Sequence, residues 1–431
     1  MLLFNEKDRK WSYMQTFIDY MKFLIGLLIL LLAVLYTISC RHEDEPKPHD
    51  TTTARTVLVY MVAENSLSSF ATLGVNGQPS DCTEMLTGIS AMSDNDRMVI
   101  YLDALDTPRI YVLTNKTKAT SFQNLKPEHI YDEEMNSASP ETFKMVLEYV
   151  TKKYTADEYG LVMWSHGSGW IPSTYDESSE TRRRSFGIDN GYNIGGNNSR
   201  SNRGPQMEIK DMATTMSRFP KFEFVYFDAC FMQCIEVAYE LRLVTNHIIA
   251  SPAETPGYGA PYDQLMPSWF ADKVDYQAMI DTHIAHYKTY MGSLMSVIDC
   301  TKLDMLATAT RKAFSGRHDA LLAIDYSKVQ NYFSYDRLSR YFPLPDCYDM
   351  RGIMMQLLTG EEYDEWFEAF EQAVPIRQCT STWYSLYPDA NLPVDTTQYG
   401  GVTMFVPLEK YMNMSFYEAY QKTEWAKNVW N

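Results

Sequence analysis

The sequence predicts an α/β fold with three layers, in which a mainly parallel central sheet has helices on both faces and a C-terminal α/β extension follows. Two observations predict it. Short continuous runs of apolar and β-branched residues recur along the chain, which is typical of strands buried on both faces. Helical patterns alternate with these runs, and such alternation predicts βαβ units. With 431 residues, 45% of them hydrophobic, the chain can bury a large core.

Five apolar runs in the first part of the chain predict the strands of the sheet. They are TVLVYMVA (56–63), RMVIYLDA (97–104), YGLVMWS (159–165), FEFVYFDA (222–229) and HIIAS (247–251). The helices predicted between and after them are 139–154, 209–219 and 230–244. Ser139 is a good cap and Pro140 fits a first turn, so these two residues mark the start of the first helix.

The second half of the chain predicts the α/β extension. Its predicted helices are 274–291, 302–314 and 363–374, and its predicted strands are 293–300, 380–388 and 400–407. His283 and His286 stand three apart on the first of these helices, but no third metal ligand lies near them in the sequence. We interpret both as solvated helix residues.

The composition argues against several classes of function. A formal net charge of −17 disfavours nucleic acid as a partner. The seven cysteines form no CxxC pair and no Cys/His cluster with zinc spacing. They are also sparse for a disulfide framework in a chain of this length. We therefore predict no nucleic-acid partner, no metal and no cofactor, and we expect a monomer.

The first 40 residues have the composition of an export segment. Basic residues at positions 7, 9 and 10 precede the apolar run FLIGLLILLLAVLYTIS, which ends at Cys40. The end of this run resembles a bacterial lipoprotein signal, in which the cysteine is lipidated and becomes the mature N-terminus. The alternative is an uncleaved membrane anchor, but the apolar stretch of about 16 residues is shorter than the roughly 20 that span a bilayer.

Residues 41–55 are predicted to form a flexible tether, because they are polar and contain prolines. The acidic cluster Glu43-Asp44-Glu45 resembles the surface-export signals of Bacteroidetes lipoproteins. We therefore expect an exported protein that is anchored to a bacterial membrane by a lipid on Cys40. The outer-membrane cell surface and the periplasm both stay open as its location.

Two predicted strands end in residues that can perform chemistry. His166 follows one strand in a glycine-rich turn, and Cys230 follows another. Because sites in open parallel sheets form beyond the carboxyl ends of strands, these side chains can meet. His166 can take the thiol proton, and a helix predicted to begin at Cys230 would favour the thiolate. Gly167 and Cys230 can supply backbone N–H groups to an oxyanion.

Each of these residues also has a structural alternative. Cys230 alone would more often be a buried structural thiol, since free cysteines are among the most buried residues. His166 alone would more often belong to a capped turn. Their occurrence together, each after an apolar strand, favours a catalytic site.

The blocks LVMWSHG (161–167) and FVYFDAC (224–230) resemble those of the clostripain family of cysteine peptidases, in the caspase-like clan. That clan carries one apolar run that ends in His-Gly and another that ends in Asp- or Glu-Ala-Cys. The resemblance extends to VLVYMVAENSL (57–67), SPAETPGYGAPY (251–262) and GGVTMFVP (400–407). It implies a caspase-like peptidase domain over residues 56–431, in which His166 and Cys230 act as a dyad on peptides or proteins.

The resemblance also implies cleavage after arginine or lysine. Asp228 matches the family's acidic residue two before the cysteine, which makes it a candidate for the S1 pocket, and Glu254 is a second candidate. A role for Asp228 as a helix cap stays open. The segment GYGAPY (257–262) departs from the family at Ala260 and Pro261, where aromatic or acidic residues are common.

Several members of that family mature by self-cleavage between the histidine and the cysteine. Residues 173–205 lie there and contain the arginines Arg182, Arg183, Arg184, Arg200 and Arg203. An enzyme that cuts after arginine can cut here, and an unprocessed surface loop is the open alternative. Some relatives need calcium, but no Asp-x-Asp-x-Asp-Gly loop in this sequence supports a calcium site.

Two other functions compete with a peptidase. A caspase-like surface lipoprotein without activity could serve as a binding module, although the presence of both His166 and Cys230 argues against it. A glycoside hydrolase would need a pair of carboxylates, and none of the acidic residues stands in a comparable motif.

Overall fold

The computed structural model describes residues 20–22, 53–104, 107–172, 185–191, 204–333, 345–386 and 388–430. The chain divides into two compact units, Met1–Thr52 and Thr53–Asn431. In the first unit, only residues 20–22 are described, as helix. Among the residues described, none of the helices has the length and apolar character needed to cross a membrane. The apolar run at 23–39, Cys40 and most of the tether lie outside the described residues.

The second unit is built on one large sheet. The strands are β1 Thr53–Val62, β2 Arg97–Asp103, β3 Arg109–Leu113, β4 His129–Ile130, β5 Ala156–Trp164, β6 Phe222–Asp228, β7 Thr245–Ala250, β8 Leu294–Asp299, β9 Tyr348–Asp349, β10 Ile376–Cys379, β11 Thr382–Ser385, β12 Ala390–Pro393 and β13 Thr403–Met404. Nine of these described strands pair in the order β10-β8-β7-β6-β5-β1-β2-β3-β4. The five central strands, from β7 to β2, are parallel, and the strands outside them are antiparallel.

Helices cover both faces of this sheet. They are α1 Ser68–Thr72, α2 Asp81–Thr87, α3 Pro140–Lys153, α4 Ile209–Met216, α5 Ile235–Leu241, α6 Tyr262–Trp269, α7 Tyr276–Tyr287, α8 Leu303–Phe314, α9 His318–Leu322, α10 Met350–Leu357, α11 Glu361–Ala373, α12 Ser415–Gln421 and α13 Glu424–Val429. Leu58 and Tyr60 of β1 join one buried cluster with α3, α5 and α8, whereas Val57 and Val59 join another with α2, α6 and α7. Alternate residues of a strand face opposite sides, so this division confirms the predicted three layers.

The start of β1 differs from the predicted boundary. The predicted tether 41–55 overlaps the strand, which begins at Thr53 and pairs there with β5. Arg55 is buried, and its guanidinium donates hydrogen bonds to the carbonyls of Trp269 at 2.6 Å and Ala271 at 2.8 Å. It also forms an ion pair with Glu158. Thr53 and Arg55, which precede the apolar run, thus belong to the folded unit because they bind residues far away in the sequence.

The late strands are shorter than predicted. The predicted strand 400–407 contributes only β13, which pairs with β9 in a separate two-stranded sheet. The predicted strand 380–388 contributes β11, which pairs with β12 in a hairpin. The C-terminal extension therefore adds β8 and β10 to the large sheet and also forms two separate sheets of two strands each.

Candidate active site

The register of β5 and β6 brings the two predicted catalytic residues to one edge of the sheet. Trp164 pairs with Asp228, and the N–H of Ser165 continues this pairing by donating to the carbonyl of Asp228 at 3.3 Å. His166 and Cys230 each follow two residues after that pair. Adjacent strands lie about 4.8 Å apart, so the sheet delivers these residues to neighbouring positions at its carboxyl edge.

The turn after His166 packs directly against the backbone around Cys230. A Cβ atom added to Gly167 would lie only 2.8 Å from the carbonyl oxygen of Cys230, and also 2.8 Å from the sulfur of Met232. Gly169 has a φ of +71°, and a Cβ there would lie 3.0 Å from the carbonyl oxygen of Phe231. Glycine is required at both positions for this close approach. The two segments that the sequence predicted to meet are therefore in contact.

The residues after Cys230 form a loop instead of the predicted helix. Phe231 has a φ of 62°, in the left-handed region, and its N–H donates to the carbonyl of Ala253 at 2.9 Å. The backbone N–H of Gln233 donates to the carbonyl of Ser251 at 3.0 Å. The helix α5 begins only at Ile235, so the predicted helix 230–244 and its dipole at Cys230 are wrong. Pairing with the segment after β7 prevails over the local helical pattern.

The thiol of Cys230 lies against Thr255. The N–H of Thr255 donates to Sγ at 3.3 Å, and its Oγ1 lies 3.6 Å from Sγ. Burial and, after it, the negative charge of Glu254 raise the pKa of the Cys230 thiol, the two Thr255 contacts lower it, and the result is a pKa of about 11. In this arrangement Cys230 is a protonated thiol at neutral pH and needs a base to become a nucleophile.

The imidazole of His166 is positioned by Ser66. Its Nε2 lies 2.9 Å from Ser66 Oγ, and the His166 carbonyl accepts a hydrogen bond from the N–H of Gly187 at 2.9 Å. Sequence reasoning singled out neither Ser66 nor Thr255. Both follow parallel strands, β1 and β7, so their position at the carboxyl edge was the signal that could have found them.

The N–H groups of Gly167 and Cys230 are the two donors that the sequence analysis predicts for an oxyanion. Gly167 faces Phe186 in an isolated antiparallel bridge, in which the neighbours Ser168 and Gly187 make the hydrogen bonds. The N–H of Gly167 therefore points away from that bridge. Within the described ranges, neither this N–H nor that of Cys230 donates a hydrogen bond.

Asp228 lies in a buried acidic pocket. Its Oδ2 accepts hydrogen bonds from the N–H of Ala260 and the hydroxyl of Tyr262, each at 2.8 Å. Burial raises the pKa of Asp228 to about 6, so it is largely ionised at neutral pH. Burial and the Asp228 charge together raise the pKa of neighbouring Asp81, whose Oδ2 accepts from Trp164 Nε1 at 2.7 Å. Asp228 does not cap α5, because that helix begins seven residues later.

Glu254, the second candidate for the S1 pocket, is held by the C-terminal hairpin. Its carboxylate accepts hydrogen bonds from the N–H of Leu386 at 3.1 Å and from the hydroxyl of Ser385. The negative charge of this carboxylate raises the pKa of the Cys230 thiol. The hairpin therefore fixes an acidic group near the thiol.

The arginines Arg182, Arg183, Arg184, Arg200 and Arg203 lie outside the described residues. Between the two groups, residues 185–191 are described. Phe186 in this segment is fully buried, and its backbone exchanges hydrogen bonds with Met207 at 3.1 and 2.9 Å. Part of the predicted surface loop is thus an internal segment.

Two further groups of residues bear on metal binding. His283 is buried beside Ser293 Oγ at 2.9 Å, and burial lowers its pKa to about 3, so the expectation of a solvated side chain is wrong for this residue. Four carboxylates outside the dyad, from Glu64, Asp103, Glu134 and Asp189, have ligand atoms within 4.8 Å of one another. Among the described cysteines, Cys82, Cys230, Cys234, Cys300 and Cys379 have free thiols.

Two solved structures share this fold. The structure of an inactive zymogen C11 protease from Parabacteroides distasonis has a TM-score of 0.70 and 30% identity, over 88% of this chain and 99% of that one. A secreted C11 cysteine protease from Bacteroides thetaiotaomicron, solved with an irreversible peptide inhibitor, has a TM-score of 0.69 and 27% identity, over 87% and 98%.

A curated relative and a family model agree with these structures. Clostripain from Hathewaya histolytica is 24% identical over 224 residues, which is 49% of this chain but only 41% of that protein. The sequence model of the Clostripain family matches residues 59–363, which include both strand ends at the site. With its caspase-like three-layer sandwich, the chain belongs to the clostripain family of cysteine peptidases.

Proposed function

We propose that this protein is a cysteine endopeptidase in which Cys230 is the nucleophile and His166 the general base. The observation that supports it best is the register of Trp164 with Asp228, which presents both residues at adjacent positions of one sheet edge. The close packing of Gly167 on Cys230 supports the same assignment. Membership of a family of cysteine peptidases agrees with it.

The arrangement suits acyl transfer. His166 takes the proton of the Cys230 thiol as sulfur bonds to the substrate carbonyl carbon, and the carbonyl oxygen becomes an oxyanion. The N–H groups of Gly167 and Cys230 donate to that oxyanion. The C–N bond then breaks as the imidazolium protonates the leaving amine, which leaves a thioester. Water, deprotonated by His166, hydrolyses the thioester and releases the carboxylic acid and the thiol.

The base is essential because the thiol is a weak acid in this structure. With the pKa of Cys230 raised to about 11, few thiolates exist at neutral pH without proton transfer to His166. Ser66 serves as a positioning residue, because its contact with Nε2 restrains the ring. Thr255 supplies two contacts that favour the thiolate.

The substrate side chain before the cleaved bond is proposed to be arginine or lysine. Asp228 stands two residues before the nucleophile and remains largely ionised at neutral pH, so it can attract a cation. Its Oδ2 is engaged by Ala260 and Tyr262, which leaves Oδ1 for a ligand. Glu254 is the second acidic candidate, and the family resemblance supports the same specificity.

Self-cleavage within 173–205 is proposed as a maturation step. The five arginines there fit an enzyme that cuts after basic residues. The raised pKa of Cys230 suits a resting state that precedes activation. One of the similar structures is itself described as an inactive zymogen, although that statement concerns the Parabacteroides distasonis protein.

Export and lipid anchoring at Cys40 are proposed from the sequence. The basic start, the apolar run and the following cysteine support a lipoprotein signal. Metabolic labelling with an alkyne fatty acid tests this in cells: the wild type should be labelled in the membrane fraction, and Cys40→Ser should not. Equal labelling of both proteins rules out this anchor.

An arginine-directed, thiol-reactive inhibitor tests the proposed activity. The wild type should be labelled and should lose hydrolysis of an arginyl substrate, whereas Cys230→Ala should show neither labelling nor hydrolysis. Cys379→Ser is the matched control, because this partly buried thiol lies on the edge strand β10 and should behave as wild type.

Two further variants separate the roles within the site. His166→Ala should keep its fold but lose at least about a hundredfold in rate, the usual contribution of a general base. Asp228→Asn should lose activity on arginyl substrates more than on neutral ones. Equal labelling of wild type and Cys230→Ala would contradict the peptidase assignment and favour the alternative, a catalytically silent binding module.

A further inference from the structure

A cavity of about 240 Å³ lies beside the segment that follows His166 and takes no part in the proposed reaction. Trp170 and Pro172 of that segment form one wall. The start of α4, the helix α5, the end of α12 and the residues after α12 form the others. Lys422 is exposed at the mouth, whereas Glu236 on α5 is buried. The cavity therefore leads from the surface to a buried carboxylate.

Acidic residues outnumber basic ones in the lining of this cavity. The acidic side chains come from the start of α4 and from α5, and both basic side chains are exposed lysines. They are Glu208, Asp211, Glu236 and Glu240, with Lys210 and Lys422. Because a cleft lined mainly by one sign of charge attracts the opposite sign, the lining favours a cation.

Glu236 is the lining residue that points to a ligand. It is only 1% exposed, and its Oε1 accepts a hydrogen bond from the N–H of Phe405 at 2.8 Å. Its Oε2 is also buried and has no hydrogen-bond partner among the residues that the structure describes. A buried carboxylate oxygen without a donor is costly, and burial raises the pKa of Glu236 to about 7. A cationic donor in the cavity would pair with Oε2 and favour the ionised form.

Trp170 gives the cavity an aromatic wall. Its ring packs against the rings of Phe405 and Tyr420, at centroid distances of 5.1 and 5.2 Å, which hold it in place. Guanidinium groups bind to the faces of tryptophan rings and also donate two parallel hydrogen bonds to a carboxylate. Pockets for drug-sized ligands measure about 300–1,000 Å³, so this smaller cavity suits a single such group on a short alkyl chain.

We propose that this cavity binds a guanidinium group, with Glu236 as its carboxylate partner and Trp170 as its aromatic wall. Two sources share this chemistry, a free alkylguanidine and the side chain of an arginine in a peptide. Lysine ammonium groups are less suited, because they cannot donate in the planar, two-pronged manner of a guanidinium.

The proposed guanidinium site is separate from the pocket of Asp228. Ile235 of α5 joins the buried cluster on one face of the sheet, whereas Tyr262, which donates to Asp228, joins the cluster on the other face. Ligands can therefore occupy both sites at once. Trp170 belongs to the same segment as Gly167, so a ligand in the cavity would contact the segment that supplies a proposed oxyanion donor.

Ligand-observed NMR titrations of the full chain at pH 8 test the proposal independently of activity. The parent carries Cys230→Ala and Asp228→Asn, so it lacks the nucleophile and the acidic group of the proposed S1 pocket. Ethylguanidinium chloride is the probe, and ethylurea is its neutral isostere. We expect saturable binding of ethylguanidinium and none of ethylurea.

Two variants of this parent should change the affinity in opposite directions. Glu236→Gln should weaken ethylguanidinium binding by about tenfold or more, because it removes the charge from the hydrogen bonds. Lys422→Gln should strengthen binding several-fold, because it removes a positive charge at the mouth. Glu141→Gln, at an exposed residue of α3, is the matched control and should bind as the parent does.

Thermal unfolding without ligand checks that each variant folds. Glu236→Gln keeps an acceptor for the N–H of Phe405 and should still unfold cooperatively. N-acetylargininamide separates the two sources: if it binds, an arginine side chain fits the cavity, and if only ethylguanidinium binds, the ligand is a free alkylguanidine. The proposal is overturned if neither compound binds, if ethylurea binds equally well, or if Glu236→Gln or Lys422→Gln binds as the parent does.

Discussion

At the scale of single residues, the acidity of Cys230 is set by neighbours that the sequence places far from His166. Burial and the charge of Glu254 raise the pKa of the thiol, and the two contacts from Thr255 lower it. The fraction of thiolate in the resting protein therefore depends on two adjacent residues with opposite effects.

Alkylation kinetics can separate these effects. Glu254→Gln removes the charge and keeps an acceptor for Leu386, so the pKa of Cys230 should fall and iodoacetamide should react several-fold faster at pH 8. Thr255→Val keeps the N–H but loses the hydroxyl, so the pKa should rise and the reaction should slow. Rates from pH 7 to 10, with the modified residue identified by mass spectrometry, provide the measurement.

Cys230→Ala is the control, because any iodoacetamide that still reacts with this variant modifies another thiol. If Glu254→Gln and Thr255→Val react at the wild-type rate across this range, their proposed influence on Cys230 is wrong.

At the scale of secondary-structure elements, the strands were predictable and the start of one helix was not. Apolar runs determine strands buried on both faces, and β1, β2, β5, β6 and β7 all lie within two or three residues of the predicted bounds. The segment after Cys230 has a helical pattern, but its N–H groups pair with the chain after β7. Tertiary hydrogen bonds outweighed local propensity there.

The first turn of α5 also carries a buried carboxylate that should make stability depend on pH. Glu236 accepts a hydrogen bond from the N–H of Phe405 at 2.8 Å, and burial raises its pKa from 4.5 to about 7. The folded state therefore keeps a proton that the unfolded state releases above pH 4.5. Stability from this group is present below that pH and is lost as pH rises to about 7.

Across this pH range the free energy of unfolding should fall by roughly 3 kcal/mol, because each unit of pKa shift corresponds to about 1.4 kcal/mol. Urea unfolding between pH 4.5 and 8.5 measures it. Glu236→Gln should flatten this dependence, whereas Glu141→Gln, at an exposed residue of α3, should keep the wild-type slope. Parallel curves for wild type and Glu236→Gln would contradict the proposed burial effect.

At the scale of the whole molecule, segment 185–191 links the loop proposed for processing to the body of the domain. Phe186 is fully buried and packs against Phe227 of β6. The candidate arginines lie on both sides of this segment in the sequence. A cut at either group should therefore leave the two products associated.

A denaturing gel together with size-exclusion chromatography tests this expectation. Under active conditions the wild type should give two fragments on the gel and one peak on the column. Cys230→Ala should stay a single band, and replacement of Arg182, Arg183 and Arg184 by alanine shows which arginine group is cut. One intact wild-type band would exclude self-cleavage in this loop.

The sequence by itself determined the layered α/β fold and the carboxyl-edge positions of His166 and Cys230. Apolar runs and strand ends are local features, and the parallel sheet then gathers the ends at one edge. Only the tertiary structure decided the acidity of Cys230, the loop after it, and the meeting of Asp103 with three other carboxylates. These features depend on burial and on distances between residues far apart in the chain, which no local pattern contains.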